Sequence, residues 1–194
     1  MIWRGFISVT LVVGLLAQTT SADETCMSPY MAKIVGQEDY VYIWTLGLEG
    51  VGDGEDKLVT VDVNPDSENY GEVIHSISMG GRNEAHHSGL TDDRRFLWAS
   101  GLDTSKIFIF DVHTDPAAPR LHRTIDDFVD KTGGIVGPHT NYALPGRMLI
   151  TGLSNNRDHG GRTGMAEYPT RNCRGASPRG AVCTWLEKSS VWSR

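Results

Sequence analysis

The chain has 194 residues, 39% of them hydrophobic, and a net charge of −6. This acidity argues against nucleic acid and anionic membrane surfaces as partners. Three cysteines (Cys26, Cys173 and Cys183) with no Cys-x-x-Cys spacing argue against a thiolate zinc site.

Residues 1–22 read as a secretory signal peptide. Arg4 precedes an apolar run from Phe6 to Ala17, and Gln18-Thr19-Thr20-Ser21-Ala22 supplies a small-residue cleavage site near Ala22. The run falls short of the roughly 20 residues that span a bilayer. The expected product is periplasmic, with no membrane attachment after cleavage. An uncleaved anchor or a buried helix is the competing reading. Cys26 follows Asp23-Glu24-Thr25, which is not a lipid-attachment context, and the odd cysteine count leaves at least one thiol free.

Residues 23–168 read as short strands separated by turns. Tyr40–Leu46 is rich in aromatic and β-branched residues, and Leu58–Val63 and Val73–Ser78 alternate apolar with polar side chains. Phe96–Ser100, Lys106–Val112 and Arg147–Leu153 repeat the theme. Turn-forming clusters lie between them, at 52–56, 64–67, 91–93 and 144–146. The only helical candidate is Ile125–Lys131. The pattern predicts an all-β sandwich, barrel or propeller.

An internal repeat favours the propeller. His87 to Arg95 leads into the strand Phe96–Ser100 and then Gly101-Leu102. His139 to Arg147 leads into Met148–Thr151 and then Gly152-Leu153. The two histidines are 52 residues apart, near the ~40–50 residues of a propeller blade. Residues 169–194 break the pattern: five basic residues stand there against Glu187 alone, without alternation. They read as a disordered tail or as out-of-frame sequence.

Of the seven histidines, His87 and His139 are the strongest candidates for metal ligands, because the repeat makes them equivalent and equivalent inner-strand positions face one axis. His86 joins them only if the backbone bulges, since neighbours on a regular strand face opposite ways. Nearby Gly80, Gly81 and Gly89 make such a bulge reasonable. Neutral imidazoles suit copper or zinc, and ligand type leaves the two open. His75 reads as structural, His113 and His122 as solvated, and His159 as a rim residue. Asp53, Glu55 and Asp56 lack the full spacing of a calcium loop. Glu84 reads as a turn carboxylate before it reads as a base. No Gly-x-Ser-x-Gly, phosphate loop or dinucleotide fingerprint is present.

Several segments carry a family resemblance: Leu58–Asn64, Tyr70–His75, Glu84–Gly89 (EAHHSG), Ser105–Val112, Pro116–Leu121, Gly137–Thr140 (GPHT) and Arg147–Leu153. Together they resemble the selenium-binding protein family, whose bacterial branch includes methanethiol oxidase. The resemblance covers about Glu24 to Tyr168. It implies a seven-bladed β-propeller, of which residues 23–168 are an incomplete N-terminal part of about three blades. It also implies copper held by His86, His87 and His139. The implied reaction takes methanethiol, oxygen and water to formaldehyde, hydrogen sulfide and hydrogen peroxide. The implied partners are a small thiol and oxygen, and homo-oligomerisation stays open. The stretch matching the family's selenium-linked Tyr-Leu-Pro-Cys reads Tyr42-Ile43-Trp44-Thr45, without a thiol. Seven blades of ~50 residues need well over 300, so this chain alone is expected to be poorly stable and of little activity. A non-catalytic selenium- or metal-binding propeller is the alternative, and a structural propeller with incidental histidines the third reading.

Overall fold

The computed structural model describes residues 28–154 and 160–170. The signal peptide, the three cysteines, His159 and residues 171–194 lie outside the described residues. The architecture is all-β, as expected, and forms an incomplete propeller of three antiparallel sheets. The first sheet is β1 (Tyr40–Thr45), β2 (Lys57–Asp62) and β3 (Val73–Ser78), in that order. The second is β4 (Ala85–Leu90), β5 (Phe96–Gly101), β6 (Lys106–Asp111) and β7 (Arg120–Ile125). The third is β8 (Pro138–Leu144), β9 (Arg147–Gly152) and β10 (Gly164–Pro169). Each sheet is a meander, and its first strand is an edge that lies beside the first strand of a neighbouring sheet: β4 packs next to both β1 and β8.

The middle sheet is buried on both faces, and its sequence shows why. Along β5 every residue is buried, with Phe96 and Trp98 on one side and Leu97 and Ala99 on the other. In β6, Ile107 and Ile109 share the first side while Phe108 and Phe110 share the second. Strand side chains alternate between faces, so one run of apolar residues feeds two cores. Towards the third sheet, Phe96, Trp98, Ile107 and Ile109 pack with Ile125, Phe128, Met148, Ile150 and Tyr168. Towards the first sheet, Leu97, Ala99, Phe108 and Phe110 pack with Leu58, Tyr42 and Trp44.

Three expectations change. The helix is a single turn, α1 (Phe128–Lys131), because Ile125 instead ends β7, paired with Ile107 and buried. In β2 the alternation runs opposite to the apolar pattern: Thr60 and Asp62 are buried beside Leu58, while Val59 and Val61 are half-buried. The valines share a face with exposed Val41 and Ile43 of β1, which is open among the described residues. Lastly, the repeat shifts by one residue, as the registers of β4 and β8 show below.

Residues 28–36 approach the sheets from one end. Ser28 donates to the Ala143 carbonyl, and the Ala32 amide donates to the Asp92 carbonyl. Ala143 lies near the end of β8, the opposite end from His139.

Trp98 is 2% exposed in the core between the second and third sheets. Trp98→Ala is expected to lower stability by about 3–5 kcal/mol. Val35→Ala, at a residue 94% exposed, should change it by less than about 0.5 kcal/mol. Urea denaturation midpoints followed by circular dichroism check both.

Candidate metal centre

The two strands that carry the candidate ligands are both bulged, and at equivalent places. In β4, Ala85 pairs with Gly101 and Ser88 with Ala99, so His86 and His87 together oppose Ser100. In β8, Pro138 pairs with Gly152 and Asn141 with Ile150, so His139 and Thr140 together oppose Thr151. Each bulge places two residues against one, which turns adjacent side chains out of strict alternation. This is the irregularity that His86 required. Aligning the bulges makes His86, not His87, the counterpart of His139, and Thr140 the counterpart of His87. Ser88 pairs with a residue 11 positions on and Asn141 with one nine positions on, so the β8–β9 hairpin is two residues shorter from bulge to partner, which is why the simple repeat aligned the wrong histidine.

A hydroxyl residue stands opposite each bulge and accepts a hydrogen bond from β8. Thr151 Oγ1 accepts the Thr140 amide at 3.1 Å. Ser100 Oγ accepts Asn141 Nδ2 at 2.8 Å, and the same amide donates to the His87 carbonyl at 3.2 Å.

The three imidazoles meet across the seam between the second and third sheets. Ring centroids lie 4.9 Å apart for His86 and His87, 4.5 Å for His86 and His139, and 4.3 Å for His87 and His139. One nitrogen of each ring lies within 4.8 Å of those of the other two. Three nitrogens around one ion at ~2.0–2.1 Å would sit about 3.5 Å apart. Closing the gap takes side-chain movements of about an ångström. His86 and His87 are exposed and His139 half-buried, so the group faces solvent on one side. His139 Nδ1 lies 3.1 Å from Thr140 Oγ1. When Nδ1–H is the donor, Nε2 carries the lone pair.

The electrostatics favour lone pairs over protons. Burial lowers the His87 pKa first, and the neighbouring His86 lowers it further. Burial likewise lowers His139, followed by His87 and His86. A cation on one ring disfavours a proton on the next. The donor set therefore fits a soft-to-borderline divalent or monovalent metal: three neutral imidazoles with no carboxylate among them.

The other candidates among the described residues do not join this group. His75 Nε2 lies 3.1 Å from the Pro119 carbonyl, consistent with a structural role. His113 is exposed, and His122 is exposed with its ring 4.9 Å from Phe96. Glu84 pairs with Arg82. Asp53 pairs with Lys57, and Asp56 is buried, accepting the Gly47 and Asn83 amides at 2.7 and 2.9 Å. Asn141 and Ser100 also belong to the site's surroundings, beside His87. Neither carries a local sequence signal for this contact, because the two are brought together only by the meeting of β5 and β8.

Comparison with known proteins adds the family. The profile of the 56 kDa selenium binding protein family matches residues 20–173. A protein from Ruegeria pomeroyi named methanethiol oxidase is 67% identical over 147 residues, 76% of this chain and 34% of that one. One from Hyphomicrobium with the same name is 63% identical over 150 residues, 77% of this chain and 34% of that one. A crystal structure of a hypothetical selenium-binding protein from Sulfolobus tokodaii superposes with a TM-score of 0.62 at 29% identity, covering 74% of this chain and 34% of that one. The chain spans about a third of the length of the curated relatives it matches. Among the described residues no helix is long and apolar enough to cross a membrane.

The lowered values of His87 and His139 have a direction that can be measured on the metal-free chain. Both rings are expected to titrate below the ordinary imidazole value of 6.5. As pH falls through 6.5 the unfolded chain takes up protons before the folded one, so stability declines on acidification until the folded rings protonate. Ring-proton NMR titration checks the order, and urea midpoints between pH 7 and 5 check the decline.

Proposed function

The chain belongs to the 56 kDa selenium binding protein family, and from that premise we propose that it is the histidine-bearing sector of a copper-dependent methanethiol oxidase. The convergence of His86, His87 and His139 across one blade seam carries the reading. Two bacterial relatives bearing that name support it.

In this reading the three imidazoles hold copper by their neutral nitrogens. Copper, when bound, supplies the one-electron chemistry that lets a thiol and oxygen react, which no side chain offers. The protein's own part is positional. The bulges aim three rings at one point, and burial keeps His87 and His139 deprotonated. The exposed side of the group leaves room for a one-carbon thiol to approach.

The reaction proposed is methanethiol plus oxygen plus water giving formaldehyde, hydrogen sulfide and hydrogen peroxide. The carbon loses two electrons and oxygen gains two, so no external reductant is needed. Export to the periplasm belongs to the same proposal and rests on the apolar run Phe6 to Ala17. There, peroxide and formaldehyde form away from the cytoplasm.

Copper(II) titration of the chain is expected to show one site. His87→Ala with His139→Ala should weaken it by more than the roughly 10–100-fold typical of outer-shell changes. A copper-loaded protein of the relatives' full length should release hydrogen sulfide and hydrogen peroxide in equal amounts when methanethiol is added. Copper bound without thiol consumption would favour a non-catalytic metal-binding propeller. Uptake unaffected by the double substitution would overturn the site.

A further inference from the structure

We infer that Asn141, backed by Ser100, is the positioning residue of the three-imidazole centre: its side-chain amide fixes the spacing of β4 and β8 at which His87 and His139 meet. The inference rests on the metal reading above, and deepens it.

The ligand set is divided between two sheets. His86 and His87 belong to β4, His139 to β8, and no ladder pairs those strands. Backbone hydrogen bonding within each sheet therefore cannot set the distance between the two halves. Asn141 can. It lies two residues after His139 on the same strand, 6% exposed, and donates to the carbonyl of His87 itself at 3.2 Å. The second hydrogen of the same amide goes to Ser100 Oγ at 2.8 Å. A carbonyl can only accept, so this partner settles which end of the amide points at β4. Ser100 is the residue opposite the His86-His87 bulge and is fully buried. Its carbonyl in turn accepts the Trp44 indole N–H at 2.9 Å, which ties in β1.

Two further features mark this contact as a fixed gauge. A side chain at Gly89 would place its Cβ 2.1 Å from the Asn141 carbonyl oxygen, so β4 and β8 touch backbone to backbone there. And Asn141 Oδ1 is buried without a hydrogen-bond partner among the described residues. A polar group retained at that cost is more readily explained by its donors than by the acceptor it wastes. Metal-binding histidines depend on such outer-shell partners for orientation.

The test compares the wild-type chain with Asn141→Ala and the gentler Ser100→Ala, which leaves the bond to His87 intact. Copper(II) is the probe, read by competition titration and by its electron paramagnetic resonance spectrum. Amide hydrogen exchange on the metal-free chains is the second readout. Asn141→Ala is expected to weaken copper binding roughly 10–100-fold and to alter the copper hyperfine splitting. It should speed exchange at residues 86–88 more than in β5 and β6. Ser100→Ala should do the same to a smaller extent. Wild-type affinity and spectrum in both variants would overturn the inference while leaving the metal site standing. So would faster exchange spread evenly over β4 to β6, which would mean general destabilisation. If the wild-type chain takes up no copper, the metal reading fails, and exchange alone decides: a local increase at 86–88 upholds the spacing role, and any other pattern ends it.

Discussion

The close approach of β4 to β8 is the constraint on which the site depends. Gly89 allows it by having no side chain, because a Cβ there would run into the backbone of Asn141. Strands in different sheets of a propeller are normally separated by interlocking side chains. Here the backbones meet instead, and two bulged strands come close enough for imidazoles on separate sheets to lie 4.3 Å apart. The bulges alone would turn His86 and His87 towards one side, and the approach alone would bring two plain strands together. Only their coincidence produces three ring nitrogens around one point.

The scaffold that holds the seam is the middle sheet. Both its faces are buried, so it is clamped between neighbours and has little freedom to slide. His86 and His87 extend from this most constrained sheet, which suits a site requiring accuracy better than a loop would. His139 comes from the third sheet, joined to the second by Trp98, Ile109, Met148, Ile150 and Tyr168. The core on that side thus sets the coarse separation, and polar contacts at the axis set the fine one.

Much of the scaffold was legible because its strands are runs of β-branched, aromatic and apolar residues bounded by turn-forming clusters. Val73–Ser78 was read to the residue, and the β5 and β6 expectations differ from the structure by one residue at an end. The strands that escaped, β4, β7, β8 and β10, lack such an unbroken run. β4 spends its positions on histidines and a glycine, β7 is an outer edge with Arg120, His122 and Arg123, and β8 opens on a proline. The site was legible in part. His87 and His139 came from a repeat whose register was one residue wrong, and His86 from the geometric need for a bulge. The structure brings all three rings together, and because each bulge turns two residues, the choice of counterpart matters less than the presence of the bulge. Asn141 was not legible, since its role depends on a contact between sheets that no local pattern encodes.

Several costs fall at this seam. Two bulges interrupt ladders, desolvation lowers two imidazole pKa values, and one buried amide oxygen has no hydrogen-bond partner among the described residues, a loss of about 1–3 kcal/mol on its own. None of these helps the protein fold, and the cores on either side of the middle sheet have to offset them. An ion bound by ligands from two sheets would reverse the balance, because it binds only when both sheets are in place and so contributes its binding energy to their docking. Under the proposed metal reading, the seam is therefore where folding and ligand binding are linked. It also departs from a plain apolar β pattern, with His86, His87, Gly89 and Asn141 on its two strands.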